Sequence, residues 1–224
     1  MAVPSYRQFL GTYTSASERY AEAFYGIIMV TGCTGMVSLG VPKDEAGIQF
    51  MLWTAILVNV LWGFIDGFTV IYGSMVDEVA SDVAVKNVRS GNDVESAASE
   101  VLDALDGSLV GKLSDQDKAK VVEVIRTAKS YASFVNRLGW EEIKRILAIF
   151  SIDFVTVFPV AIPFIFLTDV TSAVRLSFII ATFLMAYLGY QWAKYARMKR
   201  WKIAILFSSF TIFLLFVSFI LGGI

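Results

Sequence analysis

Five separate runs of predominantly apolar residues, each about twenty residues or longer, constrain this chain more than any other feature. A helix crossing the roughly 30 Å hydrocarbon core of a bilayer needs about twenty residues at 1.5 Å apiece. The runs cover residues 21–41, 50–76, 146–167, 171–192 and 203 to the C-terminus. Hydrophobic residues make up 56% of the chain, above the roughly 45–50% of a soluble domain, and the surplus sits in these blocks. The expected fold is all-α: a polytopic membrane protein with five transmembrane helices and a helical insert between helices 2 and 3. Residues 1–20 then form a cytoplasmic N-terminal segment and 21–76 hold helices 1 and 2. Residues 77–142 make a cytoplasmic helical domain, and 143–224 carry helices 3 to 5. The polar N-terminal segment lacks the apolar core and small-residue cleavage site of a signal peptide, so the first run reads as a retained span.

Lysine and arginine set the orientation. Arg7 and Arg19 precede the first span. The insert and its exit carry Lys86, Arg89, Lys112, Lys118, Lys120, Arg126, Lys129, Arg137, Lys144 and Arg145, and Lys194 to Lys202 separate the last two spans. The opposite side holds only Lys43 and Arg175. The N-terminus and insert are therefore expected in the cytoplasm and the C-terminus across the membrane. That membrane is the plasma membrane in a prokaryote, and a vacuolar or other organelle membrane in a eukaryote.

The insert reads as about three short helices. Residues 77–89 continue the second span, and Gly91 is a stop. Asn92 with Glu95 resembles a cap for a helix ending at Gly107. Ser114, with Asp115 and Asp117 in the first turn, opens another, whose apolar positions include Val121, Val122, Val124, Ile125, Ala128 and Ala132. Helices this short bury little core alone, which points to packing on a second copy of the chain.

Several chemistries are excluded. There is no histidine, hence no usual general base near neutral pH and no imidazole metal ligand. Cys33 is the only cysteine, so neither a disulfide framework nor a thiolate cluster is available. A net charge of −1 gives no basic footprint for nucleic acid, and no enzyme or tightly bound cofactor is expected.

Ionisable groups within the spans are the sharpest functional signal. An Asp at mid-bilayer costs roughly 2.5–3.5 kcal/mol on the insertion scale, so it normally faces a bundle interior or a wet cavity. Asp66 lies in the second span and Asp153 in the third; both are candidates for proton coupling. Asp66 sits between Gly63 and Gly67, which permit close helix approach or local unwinding. Met29 in the first span is a soft ligand candidate, and Met75, Asp77 and Glu78 mark the exit of the second. Glu95, Glu100, Asp103 and Asp106 form an acidic series in the insert, joined by Glu78 and Asp82 on the preceding helix; they could bind divalent cations, but their spacing alone favours a solvated helix face. Pro159 and Pro163 remove backbone donors from the third span and kink it, whether to line a cavity with free carbonyls or for packing alone. Tyr187, Tyr190, Trp192 and Tyr195 resemble an aromatic belt.

The span order, the insert after the second span, the Pro159 to Pro163 stretch, the AFYGIIMVTG start and the Tyr72–Ser74 exit together resemble the vacuolar iron transporter family. The resemblance covers most of the chain and implies a dimeric, proton-coupled exporter of Fe(II) or Mn(II) from the cytosol. Members carry an Asp-Gly pair in the first span, a Met followed by Gly-Glu-Tyr in the second, and Glu-x-x-Glu repeats in the insert. Here the family's Asp falls on Met29, the Glu on Ile71, and the Met near Gly67 beside Asp66. Two readings follow. Either hard and soft ligands have changed places between the helices, or the chain is a relative without transport, acting as a membrane scaffold or metal sensor. The leading expectation is a homodimeric transporter embedded in the lipid bilayer, moving Fe2+ or Mn2+, with ligands drawn from Asp66, Met29, Met75, Asp77, Glu78, Asp82, Glu100, Asp103 and Asp106.

Overall fold

The computed structural model describes residues 5–90, 94–128 and 139–221. Gly91, Asn92, Lys129, Ala132 and Arg137 lie outside the described residues, as does the side chain of Glu95. Among the described residues every regular element is helical: α1 (Tyr6–Tyr13), α2 (Ala16–Val37), α3 (Glu45–Ser90), α4 (Val94–Leu105), a 3₁₀ turn (Val110–Lys112), α5 (Asp115–Thr127), α6 (Trp140–Ala161), α7 (Pro163–Phe166), α8 (Val170–Tyr195) and α9 (Arg200–Ile220).

The caps are written in the sequence. Ser5 and Gln8 close a capping box on α1, and Ser15 and Glu18 close another on α2. Ser114 accepts from the Asp117 amide at the start of α5, and Asp169 accepts from the Ser172 amide at the start of α8. Helix α1 lies in a segment with no apolar run, and it docks on α6: Tyr6 meets Ser151 at 3.1 Å, and Tyr13 donates to Glu141 at 3.0 Å.

Helices α3, α8 and α9 are long and apolar enough to cross a membrane. Helices α2 and α6 have 22 residues each but include Glu18, Arg19 and Glu22 in one, and Glu141, Glu142, Lys144, Arg145 and Asp153 in the other. Neither contains a stretch of eighteen residues that meets the same standard of length, hydropathy and low charge.

The chain divides into two compact units, residues 1–68 with 140–224, and residues 69–139. The first has two apolar clusters. One joins Ile27 and Val30 of α2 to Val157 and Val160 of α6 and Ala181 and Met185 of α8. The other gathers Ile48, Met51, Phe164, Val174 and Phe178. The second unit has a small core of Ala84, Val88, Val101 and Val122.

Pro159 lies inside α6, which ends at Ala161, and Pro163 opens α7. The Val160 carbonyl beside this break accepts from Ser177 Oγ of α8 at 2.8 Å. That carbonyl serves packing rather than a cavity.

Candidate functional site

Within the first unit α3 buries a stripe at four-residue spacing: Met51, Ala55, Asn59, Gly63 and Gly67. Its upper part is apolar and its lower part small or polar, so backbones approach closely there. A Cβ on Gly63 would stand 3.2 Å from Asp153 Cβ and 3.1 Å from the Phe150 ring. One on Gly67 would stand 3.0 Å from the Ile146 carbonyl oxygen. From the other side, a Cβ on Gly26 of α2 would strike Thr156 Oγ1 and come within 3.1 Å of Asp153 Oδ1. Asp153 of α6 is thus wedged between glycines of two helices, and fully buried. The close approach inferred for Gly63 and Gly67 has a definite partner: α6.

This wedge brings three carboxylates together. Glu22 of α2, Asp66 of α3 and Asp153 of α6 each offer an oxygen, and the three oxygens lie within 4.8 Å of one another. Among the described residues this is the one group of three or more acidic or thiol side chains in mutual reach. Glu22 and Asp153 are buried and Asp66 is half-buried. Neither oxygen of Asp153 has a hydrogen-bond partner, nor do Glu22 Oε2 and Asp66 Oδ2. The Trp62 indole N–H, one turn before Asp66, faces that carboxylate without a hydrogen bond of ordinary geometry. Buried polar groups are nearly always paired, so four orphaned carboxylate oxygens in one place are suited to a proton, a water or a cation.

The neighbouring amide and hydroxyl donors are occupied. Asn59, two turns before Asp66, donates through Nδ2 to the Gly26 carbonyl at 3.2 Å and to the Asp153 carbonyl at 3.3 Å. Its Oδ1 stays buried and unpaired. Thr156 Oγ1 donates to the Asp153 carbonyl and Thr31 Oγ1 to that of Ile27. No cationic side chain pairs with Glu22, Asp66 or Asp153 among the described residues.

One turn before Glu22 a cation does appear, already paired. Arg145 of α6 binds Glu18 of α2 at 2.7 Å. Burial pushes the Glu18 carboxyl up, but the Ser15 amide, the Arg145 guanidinium and the Ser15 hydroxyl together outweigh it and hold it below its ordinary value of 4.5.

The remaining ligand candidates are spread out. Met29 is partly buried on α2. Met75, Asp77, Glu78, Asp82, Glu100, Asp103 and Asp106 belong to the second unit. There Asp77, Glu78, Glu100, Asp103 and Asp106 are exposed, while Met75 lines a small apolar hollow with Tyr72, Val76 and Val79. Asp82 is buried and pairs with Lys86 at 2.6 Å. Glu100 accepts from Asn87 at 3.3 Å and, with Asp103, borders a recess floored by Ala80, Val83 and Ala84.

Of the sequence candidates, Asp66 and Asp153 come together. Glu22, which joins them, went unread because it stands in the first turn of the expected span and looks interfacial. The rule for ionisable groups inside apolar runs would have picked it out. No family model and no curated protein matches this chain.

Proposed function

We propose that the chain is a membrane transporter that exports a divalent metal ion from the cytosol, with Glu22, Asp66 and Asp153 as its central site. The observation that carries this reading is three carboxylates from three helices converging within 4.8 Å, with the fully buried Asp153 unpaired at both oxygens. Three acids this close in apolar surroundings require positive charge between them, either protons or a metal ion. A site that accepts either one in turn is the elementary device of proton-coupled exchange. Its donors are all oxygen, which suits Mn2+ better than softer ions and favours it within the Mn2+/Fe2+ pair. Met29, seven residues after Glu22, would supply a thioether to Fe2+ only if it moved into the site.

In this reading α2, α3, α6, α8 and α9 are the five spans, with the N-terminus and the 77–142 insert in the cytoplasm. Two copies pair as a homodimer. The exposed acids at the exit of the second span and on the insert collect ions from the cytosol, and the buried acids pass them on. The resemblance to vacuolar iron transporters points the same way, although the acids differ from the positions that family uses.

The test is Mn2+ flux into proteoliposomes. Asp66→Asn and Asp153→Asn should each lower flux at least about tenfold, a change of about 1.4 kcal/mol in the affinity or barrier it reports. Their gel-filtration profile and unfolding temperature should stay close to the parent's. Undiminished flux in both variants would remove the site from the pathway. No flux of Mn2+ or Fe2+ in the parent chain would favour a scaffold or sensor instead.

A further inference from the structure

At the end of α8 remote from the Lys194–Lys202 basic cluster lies an isolated positive charge. Arg175 stands about one and a half turns after the first residue of α8, exposed and without an ion pair or hydrogen bond among the described residues. The nearby acid Asp169 is already engaged, accepting from the Ser172 amide as the cap of α8 and lying in the field of Lys43. Beside Arg175 a groove of about 520 Å³ opens between α8 and α9, lined by Ile179, Ile212, Leu215, Phe216 and Phe219. Apart from the guanidinium, its wall is aliphatic and aromatic.

The surface around it belongs to a bilayer. The most apolar eighteen-residue stretch of α9 has a mean hydropathy of 2.6, the highest among the three long apolar helices, yet only 11% of it is buried. Residues 212 to 219 span about 10 Å along the axis, enough for a length of acyl chain. Whatever fills this groove reaches it through lipid, has an apolar body, and ends in a group that a guanidinium binds well. Arginine pairs in bidentate fashion with phosphate and is weakly hydrated, so it suits this depth better than lysine.

We infer that the α8–α9 groove is a binding site for one anionic phospholipid, with an acyl chain against Ile179, Ile212 and Phe216 and the phosphate diester on Arg175. A zwitterionic lipid would bring its own ammonium to an unpaired cation, so the site discriminates by headgroup charge. This inference rests on the membrane-embedded helices and is independent of the transport reading.

Native mass spectrometry of the full chain in detergent, titrated with phosphatidylglycerol or phosphatidylcholine, tests it. One phosphatidylglycerol per chain should be retained at least about tenfold better than phosphatidylcholine, and Arg175→Gln should erase the difference. Arg175→Lys should retain part of it. Ile179→Trp, which fills the groove and keeps the guanidinium, should also release the lipid, so the outcome does not hang on one variant folding. Millimolar inorganic phosphate should not displace the lipid; if it does so fully, the site binds anions and not lipids. Equal retention of both lipids, or an unchanged preference in Arg175→Gln or Ile179→Trp, would overturn the inference.

Discussion

Helix α3 supplies an aspartate to each of the two units, and the two are treated in opposite ways. Asp82, buried in the second unit, meets Lys86 one turn along the same helix at 2.6 Å. Asp66, in the first, keeps an oxygen unpaired and shares its space with acids from α2 and α6. Pairing within one turn is local; it settles the charge wherever the helix goes. The first unit forgoes that remedy and assembles three like charges from distant parts of the chain. An arrangement that crowds like charges marks a functional candidate rather than a device of stability, and it is the basis of the transport reading proposed above.

The contrast can be broken at the glycines first. Gly26→Ala puts a methyl into Thr156 and Asp153, and unfolding free energy should fall by about 1–3 kcal/mol. Gly73→Ala, on α3 in the second unit, meets nothing within 4 Å and should gain about 0.5–1 kcal/mol from helix propensity. Denaturant unfolding of both variants reads the difference, and equal effects would mean that the first unit is not closely packed around its acids.

A sharper version neutralises one acid on each side. Without metal, Asp153→Asn should leave the thermal midpoint unchanged or raise it, because the carboxyl has no partner to lose and is crowded by two other acids. Asp82→Asn should lower stability by up to about 1 kcal/mol, since it weakens the Lys86 pair. Opposite signs uphold the contrast; a large loss in Asp153→Asn would make that residue a structural one.

The smallest effect belongs to the Glu18–Arg145 pair. With the carboxyl held below its ordinary 4.5, its contribution is fully present above about that pH and disappears as pH falls through the lower folded value. Partly exposed, it should amount to about 0.5 kcal/mol. Glu18→Gln should therefore cost about that much at pH 7 and progressively less as pH falls below 4.5, as read by unfolding across that range.

Much of the fold was open to reading because it rests on local rules. Apolar runs anticipated α3, α8 and α9, Ser114 marked the start of α5, and the proline pair marked the break after Ala161. The continuation of the second span beyond its apolar run, as far as Ser90, followed from the absence of any breaker before Gly91. Helix α1 was missed because a polar eight-residue helix owes its stability to docking on α6, which no local pattern announces. The site was half visible for a related reason. Asp66 and Asp153 betray themselves as charges in apolar surroundings, whereas their convergence with Glu22 depends on glycines 26 and 63 admitting α6 between α2 and α3. That is tertiary information. The acids of the second unit had the more suggestive spacing, yet Glu100, Asp103 and Asp106 remain exposed on their helix and its end.

The Asn59 side chain has a consequence for motion. One primary amide has two hydrogens, and here both are spent on carbonyls of different helices, Gly26 of α2 and Asp153 of α6. It is a rivet through three members. Should α3 slide or tilt alone by even an ångström or two, both bonds would break at once, and the spacing of Glu22, Asp66 and Asp153 would change in the same movement. On the transport reading proposed above, the binding of an ion would therefore be coupled to the register of the three helices, so an occupied site would hold α3 in place and an empty one would leave it to these two bonds.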